Sequence, residues 1–307
     1  MSWILLVVIA NILDSLRIFI DNYVSDVYYK KRQAISQRLF YGYMGLFAAV
    51  IILAVTRFDI HSMDPKIIGF LVVSGLISAA STIPYIRVLE IDDSVNLGIF
   101  IQLAPILYLV LGWIFLGEDF SPFQLIAFAV ILAAPLLIVM TARKRSRQTK
   151  VKAVFYALAY VFIAVVGNLV FVMTNEKSPS FISSIAFLTL GKAIGNIAIV
   201  WARPKWHRRF YKVLKSSKFK VLGPMAINYF VSLGKDFTYR GAMVAAPTVA
   251  VASAASDSTE PILIFFMGIL LTLIWPKFGR EKLDKKSIVV HLLATVLVVI
   301  GVVLLQM

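Results

Sequence analysis

The sequence predicts an all-α polytopic membrane protein: ten transmembrane helices arranged as two inverted five-helix repeats. Three observations predict it. The 307 residues are 60% hydrophobic, with a mean hydropathy of +0.86, above the roughly 45–50% apolar content of soluble domains. The apolar residues fall in blocks of about 20, the length a helix needs to cross a bilayer core. A basic stretch, "ARKRSRQTKVK" at 142–152, divides the chain into two sets of five blocks. A five-span unit repeated along one chain inserts upside down the second time, because five is odd.

The blocks lie at 3–24, 39–56, 67–86, 94–116, 122–141, 153–173, 181–201, 221–243, 247–274 and 287–306. Each is helical, because lipid leaves backbone groups no partner but their own segment, and the blocks exceed the about 9–11 residues of a barrel strand. The domain reading is a first repeat at 1–142, a basic cytoplasmic linker at 143–152 and a second repeat at 153–307. "MSWILLVVIANIL" lacks a basic start and runs into a polar-studded span, so it reads as span 1 and not as a cleavable signal.

Of the 31 Lys and Arg, 24 lie after spans 1, 3, 5, 7 and 9, four lie at or near the opposite ends (Arg57, Lys66, Lys177 and Arg240), and Arg17, Lys192 and Lys235 lie deeper within spans. The positive-inside rule places the first set in the cytoplasm and both termini outside. The net charge of +15 is then a topology signal and not a nucleic-acid footprint. "RPKWHRRFYKVLKSSKFK" (203–220) is amphipathic enough to lie on anionic lipid, although a topology-setting loop also explains it. "YGY" (41–43) and "WARPKW" (201–206) read as interfacial aromatic belts.

No cysteine is present, which excludes disulfides, thiol nucleophiles and Cys-based metal sites. His61 and His207 are lone loop residues and His291 lies in span 10 without a partner, so no cofactor and no metal is expected. The expected surroundings are a multi-pass position in a bilayer, suiting a bacterial inner membrane, as a monomer or homodimer.

Charges at lipid depth cost about 2.5–3.5 kcal/mol each on insertion scales, so they mark function or face one another. Asp14, Arg17 and Asp21 are spaced so that Arg17 can bridge both acids on one face of span 1, with Asn11 a turn earlier. The stripe is either a structural ion-pair seam or a cavity wall, and Asp21 can also snorkel toward the interface. In "SDSTEPILIFF" (256–266), Asp257 and Glu260 share a face with no cation within a turn, among Ser253, Ser256 and Thr259. Two close carboxylates in low dielectric do not both stay ionised cheaply, which makes Asp257 and Glu260 proton-coupling candidates. The other answer is a cation from elsewhere: Lys192 in "LGKAIGN" or Lys235 in "LGKDF", each after a Gly that lets helices approach. Lys235 points inward and adjacent Asp236 about 100° away. Gln102, Asn168 and Asn196 are neutral polar groups that either join helices or touch substrate. Pro105 and Pro261 each remove a mid-span backbone bond, at matching places in both halves. They are candidate helix hinges, since paired interruptions point to a transporter site.

Weak internal similarity aligns "YIRVLEIDDSV" (85–95) with "YRGAMVAAPTV" (239–249), which pairs Tyr85 with Tyr239 as candidate substrate contacts. It also aligns "APILYLVLGWIFLGED" (104–119) with "EPILIFFMGILLTLIW" (260–275). A mid-helix Pro, an apolar stretch ending in Gly-Glu and a Gly/Ala-rich span resemble the drug/metabolite transporter superfamily, in particular its EamA-like members. Pro105, Gly117, Glu118 and Pro261 carry the resemblance, while "FGRE" (278–281) is a stretched form of the Gly-Glu signal. The resemblance implies alternating access around a cavity lined by spans 1, 3, 4, 6, 8 and 9.

The expected function is secondary active transport, with no enzymatic activity, of a small polar or zwitterionic metabolite such as an amino acid, with the proton as candidate coupling ion. Asn11, Asp14, Arg17, Tyr85, Gln102, Asn168, Lys192, Lys235, Tyr239, Asp257 and Glu260 are the expected substrate contacts. Acids together with lysines suit a substrate carrying both signs. The alternatives are a multidrug or cationic-compound exporter of the same superfamily, a membrane-embedded enzyme acting on lipid or prenyl substrates, and a non-transporting structural or receptor protein.

Overall fold

Segments that cross lipid satisfy their backbone internally, and the computed structural model is helical throughout, with no strand among the described residues. It describes residues 2–29, 34–56, 63–91, 103–143 and 151–274, with scattered positions from 289 to 304. Helix α1 (Trp3–Val24) runs into a π-helical turn (Ser25–Tyr29), and a 3₁₀ turn (Ala34–Gln37) leads into α2 (Arg38–Val55). There follow α3 (Pro65–Ile91), α4 (Ala104–Leu116), α5 (Pro122–Arg143), α6 (Val151–Asn175) and α7 (Phe181–Trp201). The last three are α8 (Pro204–Ser216), α9 (Leu222–Ala245) and α10 (Val249–Ile274).

The expected spans at 3–24 and 181–201 coincide with α1 and α7. Helix α3 is longer than expected and continues through Pro84, a helix-interior proline that the sequence reading did not single out. Six described helices are long and apolar enough to cross a membrane: α1, α2, α3, α6, α7 and α10, with α4 a shorter apolar helix. Helix α9 has the length, but Asn228, Lys235, Asp236 and Arg240 interrupt its apolar character. Residues 94–102, most of the 143–152 linker, "FGRE" and most of 287–306 lie outside the described residues.

The basic 203–220 stretch is not only a loop. Pro204 opens α8, whose Trp206, Phe210 and Val213 recur at helical spacing and are buried. This face packs against α7 and the Ala34–Gln37 turn. His207 therefore sits in a helix, its ring 4.2 Å from that of Trp201 and 4.9 Å from that of Tyr211. The aromatics read as interfacial belts divide, with Trp201 exposed. Trp206 is buried beneath the guanidinium groups of Arg87 and Arg203, 5.7 and 5.3 Å from its ring centre, and Tyr41 is buried while Tyr43 is exposed.

The chain divides into two compact units, residues 1–19, 91–154 and 231–307 in one, 20–90 and 155–230 in the other. Each draws on both halves of the sequence. In the first, α10 packs on α4 and α5, and Val7, Ala242 and Ala255 form a core against which Trp3 and Leu6 pack. The alanines let α1, α9 and α10 come close, the usual device where lipid supplies no hydrophobic drive.

In the second unit α2 packs along α7, and Gly42 and Gly45 lie against Ala193. The tightest approach joins α3 to α7: a Cβ at Gly75 would strike the Leu188 carbonyl, and one at Gly191 the Val72 carbonyl. Backbone cannot yield as a flexible side chain does. Gly191→Val is expected to destabilise the protein by about 3 kcal/mol, the upper end of ordinary overpacking. A thermal melt in detergent that matches the parent would refute that contact.

Candidate functional site

The polar stripe on α1 meets the acids of α10 and the lysine of α9 inside the first unit. Asp14 is buried. Arg17 donates through Nε to Asp14 Oδ1, and Lys235 Nζ lies 3.4 Å from Asp14 Oδ2. Two cations thus hold one buried carboxylate, an arrangement that repays desolvation only while both partners stay in place. The Lys235 ammonium also lies 5.2 Å from the centre of the Tyr239 ring, within cation–π range.

Asn11 joins α1 to α10. Its amide donates to the Ser256 carbonyl at 2.8 Å and to Thr259 Oγ1, and its oxygen accepts from Ser256 Oγ at 2.8 Å. Asn11, Ser253 and Ser256 are buried, so this seam is dry. One turn along α10, Ser253 Oγ donates to Asp257 Oδ2 at 2.8 Å. Tyr239 is buried beside Ser253 and Tyr108 of α4.

Glu260 differs from its neighbours. It is half-buried, and among the described residues it has no hydrogen-bond or ion-pair partner. The charges that it faces are Asp14, Lys235, Asp257 and Arg17. The cluster therefore sets three acids against two cations, leaving one negative charge in excess when all are ionised. Of the two lysines read as cations for the α10 acids, Lys235 faces both of them, while its ion pair is with Asp14.

Asn11, Asp14, Arg17, Lys235, Tyr239, Asp257 and Glu260 all belong to this unit. Tyr85, Asn168 and Lys192 belong to the other, where the Tyr85 ring lies 5.2 Å from that of Tyr160. Gln102 lies outside the described residues. Among the described residues Pro105 lies in the first turn of α4, and the residue four positions before it, which a mid-helix proline would leave unbonded, lies outside them. Pro261 does lie in the interior of α10. The sequence reading passed over two residues of this unit. Arg240, counted with the span-end charges, is buried at 2% exposure, and Tyr108, beside Tyr239, is a tyrosine in an otherwise apolar helix.

The Gly-Glu pair has a structural explanation. Gly117 ends α4 in the left-handed region at φ +64°, a conformation glycine adopts without strain. The Glu118 N–H then donates to the Gly112 carbonyl at 3.3 Å. Its carboxylate crosses to the start of α10, where Oε1 accepts from the Val249 N–H at 2.7 Å. A negative group at a helix N-terminus is favoured by the free N–H groups and the helix dipole. Glu118→Ala is expected to cost about 1 kcal/mol, with Glu118→Gln milder because an acceptor remains. Equal melting temperatures for Glu118→Ala and the parent would rule out the cap.

In the second unit Asp21 does not snorkel outward. Its Oδ1 accepts from Asn228 Nδ2 at 2.7 Å and from Gln37 Nε2 and Tyr41 Oη, both at 3.2 Å. Asn228, seven residues before Lys235 and so on the same face of α9, was legible as part of a polar stripe.

Comparison with known proteins agrees with the resemblance read from the sequence. Residues 1–140 match the model of the EamA-like transporter family. A solved structure described as "Crystal structure of protein" superposes with a TM-score of 0.59 and 17% identity, covering 98% of this chain and 95% of that one. At that identity the likeness is one of fold. No curated protein matches the chain.

Proposed function

We propose, taking the EamA-like match over residues 1–140 as the premise, that the chain is a secondary active transporter of a small zwitterionic metabolite. It works by alternating access between two inverted five-helix repeats. Lys235 and Arg17 receive the substrate carboxylate, in exchange for Asp14, and Glu260 with Asp257 receives its ammonium group or a proton. The observation that carries this reading is Glu260, a half-buried carboxyl without a hydrogen-bond partner among the described residues, set beside the Asp14–Lys235 ion pair. An acid in excess invites a cationic group, and adjacent cations invite an anionic one. A substrate bearing both signs satisfies both demands, whereas a purely cationic drug leaves Lys235 and Arg17 facing it. The Lys/Arg distribution supports both termini lying on the side opposite the cytoplasm.

The test is counterflow in liposomes containing the purified protein. Preloaded zwitterionic amino acids should drive uptake of labelled amino acid, and amines lacking a carboxylate should not. Accumulation of cationic dyes with no response to any zwitterion would overturn the substrate assignment.

A further inference from the structure

Buried polar atoms without a hydrogen-bond partner are few in native folds, and each calls for a reason. In the second unit, six such groups occur in elements that include the two short turns and α8: Tyr29 Oη, Ser36 Oγ, Gln37 Oε1, Arg38 Nε, His207 Nε2 and Arg209 Nε. Tyr29 and Ser36 are fully buried. The π-helical turn ends on Tyr29, the 3₁₀ turn carries Ser36, and Arg38 begins α2. The 3₁₀ turn packs against α8, which supplies His207 and Arg209. Tyr29 lies within electrostatic range of Arg209.

Most of this set can donate, the exception being the Gln37 amide oxygen, whose own nitrogen bonds Asp21. Hydroxyls and guanidinium N–H groups donate, and among the described residues neither Arg38 nor Arg209 has an ion-pair partner. Asp21, an acid of the same unit, is already engaged by Gln37, Tyr41 and Asn228. Unused donors around unneutralised arginines fit a ligand with several acceptor oxygens and negative charge, which describes a phosphate group. Lys205, Arg208, Lys212 and Lys215 are exposed along α8, and their field would draw such an anion in.

We propose that Tyr29, Ser36 and Arg209, flanked by Arg38 and His207, form an anion site that takes a phosphate-bearing group. The group is either free phosphate or the headgroup of an anionic phospholipid. Neither source depends on the transport reading, and the test does not involve flux.

The experiment is a thermal melt of the delipidated full-length protein in dodecyl maltoside, at constant ionic strength. One arm titrates inorganic phosphate against chloride, and the other titrates a short-chain phosphatidic acid. A saturating rise in Tm of about 2–4 °C is expected in at least one arm. A rise with phosphate identifies the free anion as sufficient, and a rise with the lipid alone identifies the headgroup. Arg209→Gln should lose the rise, and Lys212→Gln, on the exposed face, should keep it. Tyr29→Phe removes an unpartnered hydroxyl, so without ligand its Tm should equal or exceed the parent's, while its response to ligand shrinks. If Arg209→Gln does not fold, the Tyr29→Phe comparison decides. The proposal is overturned if neither arm shows a saturable rise, or if Tyr29→Phe responds as fully as the parent.

Discussion

Replacing Lys235 by Met is expected to lower substrate counterflow by at least about tenfold and to lower thermal stability as well. The ammonium lies 3.4 Å from Asp14 Oδ2, in a place where Asp14 is buried. Removing one member of a buried pair leaves the other charge desolvated and costs about 3–5 kcal/mol. Arg17 stays bonded to Asp14, which puts the expected stability loss near 3 kcal/mol, the lower end of that range. The transport loss has a separate cause. A hydrogen bond to a charged group contributes about 1.5–3 kcal/mol, and about 1.4 kcal/mol corresponds to tenfold. Lys235→Arg, which keeps the charge, should transport at a reduced rate. Full counterflow by Lys235→Met would remove Lys235 from the substrate path and leave it a structural residue.

The sequence made the helices and the charge cluster legible for physical reasons, and it concealed the partners within the cluster for reasons as physical. Lipid forces each apolar block of sufficient length into a helix, so α1 and α7 follow from residue chemistry alone. A charge at lipid depth is costly wherever it lies, so Asp14, Lys235, Asp257 and Glu260 stand out without coordinates. Which charge pairs with which depends on helix rotation and axial offset, and periodicity fixes neither. That is why Lys192 and Lys235 were both open as cations for Asp257 and Glu260, and Lys235 is found on Asp14. Arg240 was overlooked because, three residues from the end of the expected 221–243 span, it was counted with the charges at span ends, whereas α9 continues to Ala245 and buries it. Helix α8 was half-read for the opposite reason. Its charges dominate the composition, while the three residues that bury it, Trp206, Phe210 and Val213, are visible only once helical spacing is imposed. Glu118 was recognised as part of a motif, but its bond to the Val249 N–H joins residues 131 positions apart.

Glu260→Gln is expected to abolish uptake driven by a pH gradient while leaving exchange of substrate for substrate measurable. Glutamine keeps the size of the side chain and a carbonyl acceptor, so Asp14, Arg17 and Lys235 keep their geometry. What it loses is the capacity to take up and release a proton. The cluster of three acids and two cations also loses its excess negative charge, and an ammonium group then has one fewer acid to meet. If Glu260 carries the coupling proton, the variant's uptake becomes flat across pH where the parent's varies, and counterflow stays measurable while falling by about tenfold or more, as expected for losing one charged contact. Asp257→Asn is the matched comparison. Asp257 is buried and bonded to Ser253 Oγ, whereas Glu260 is half-buried, so the proton has the shorter route to Glu260. Asp257→Asn should keep part of the pH response. Two liposome assays decide it, one with an imposed pH gradient and one with equal pH and preloaded substrate. If Glu260→Gln keeps the parent's pH dependence while Asp257→Asn loses it, the coupling group is Asp257. If both keep it, the carrier does not use protons at this cluster, and Glu260 is left as the acid that meets the substrate's ammonium group.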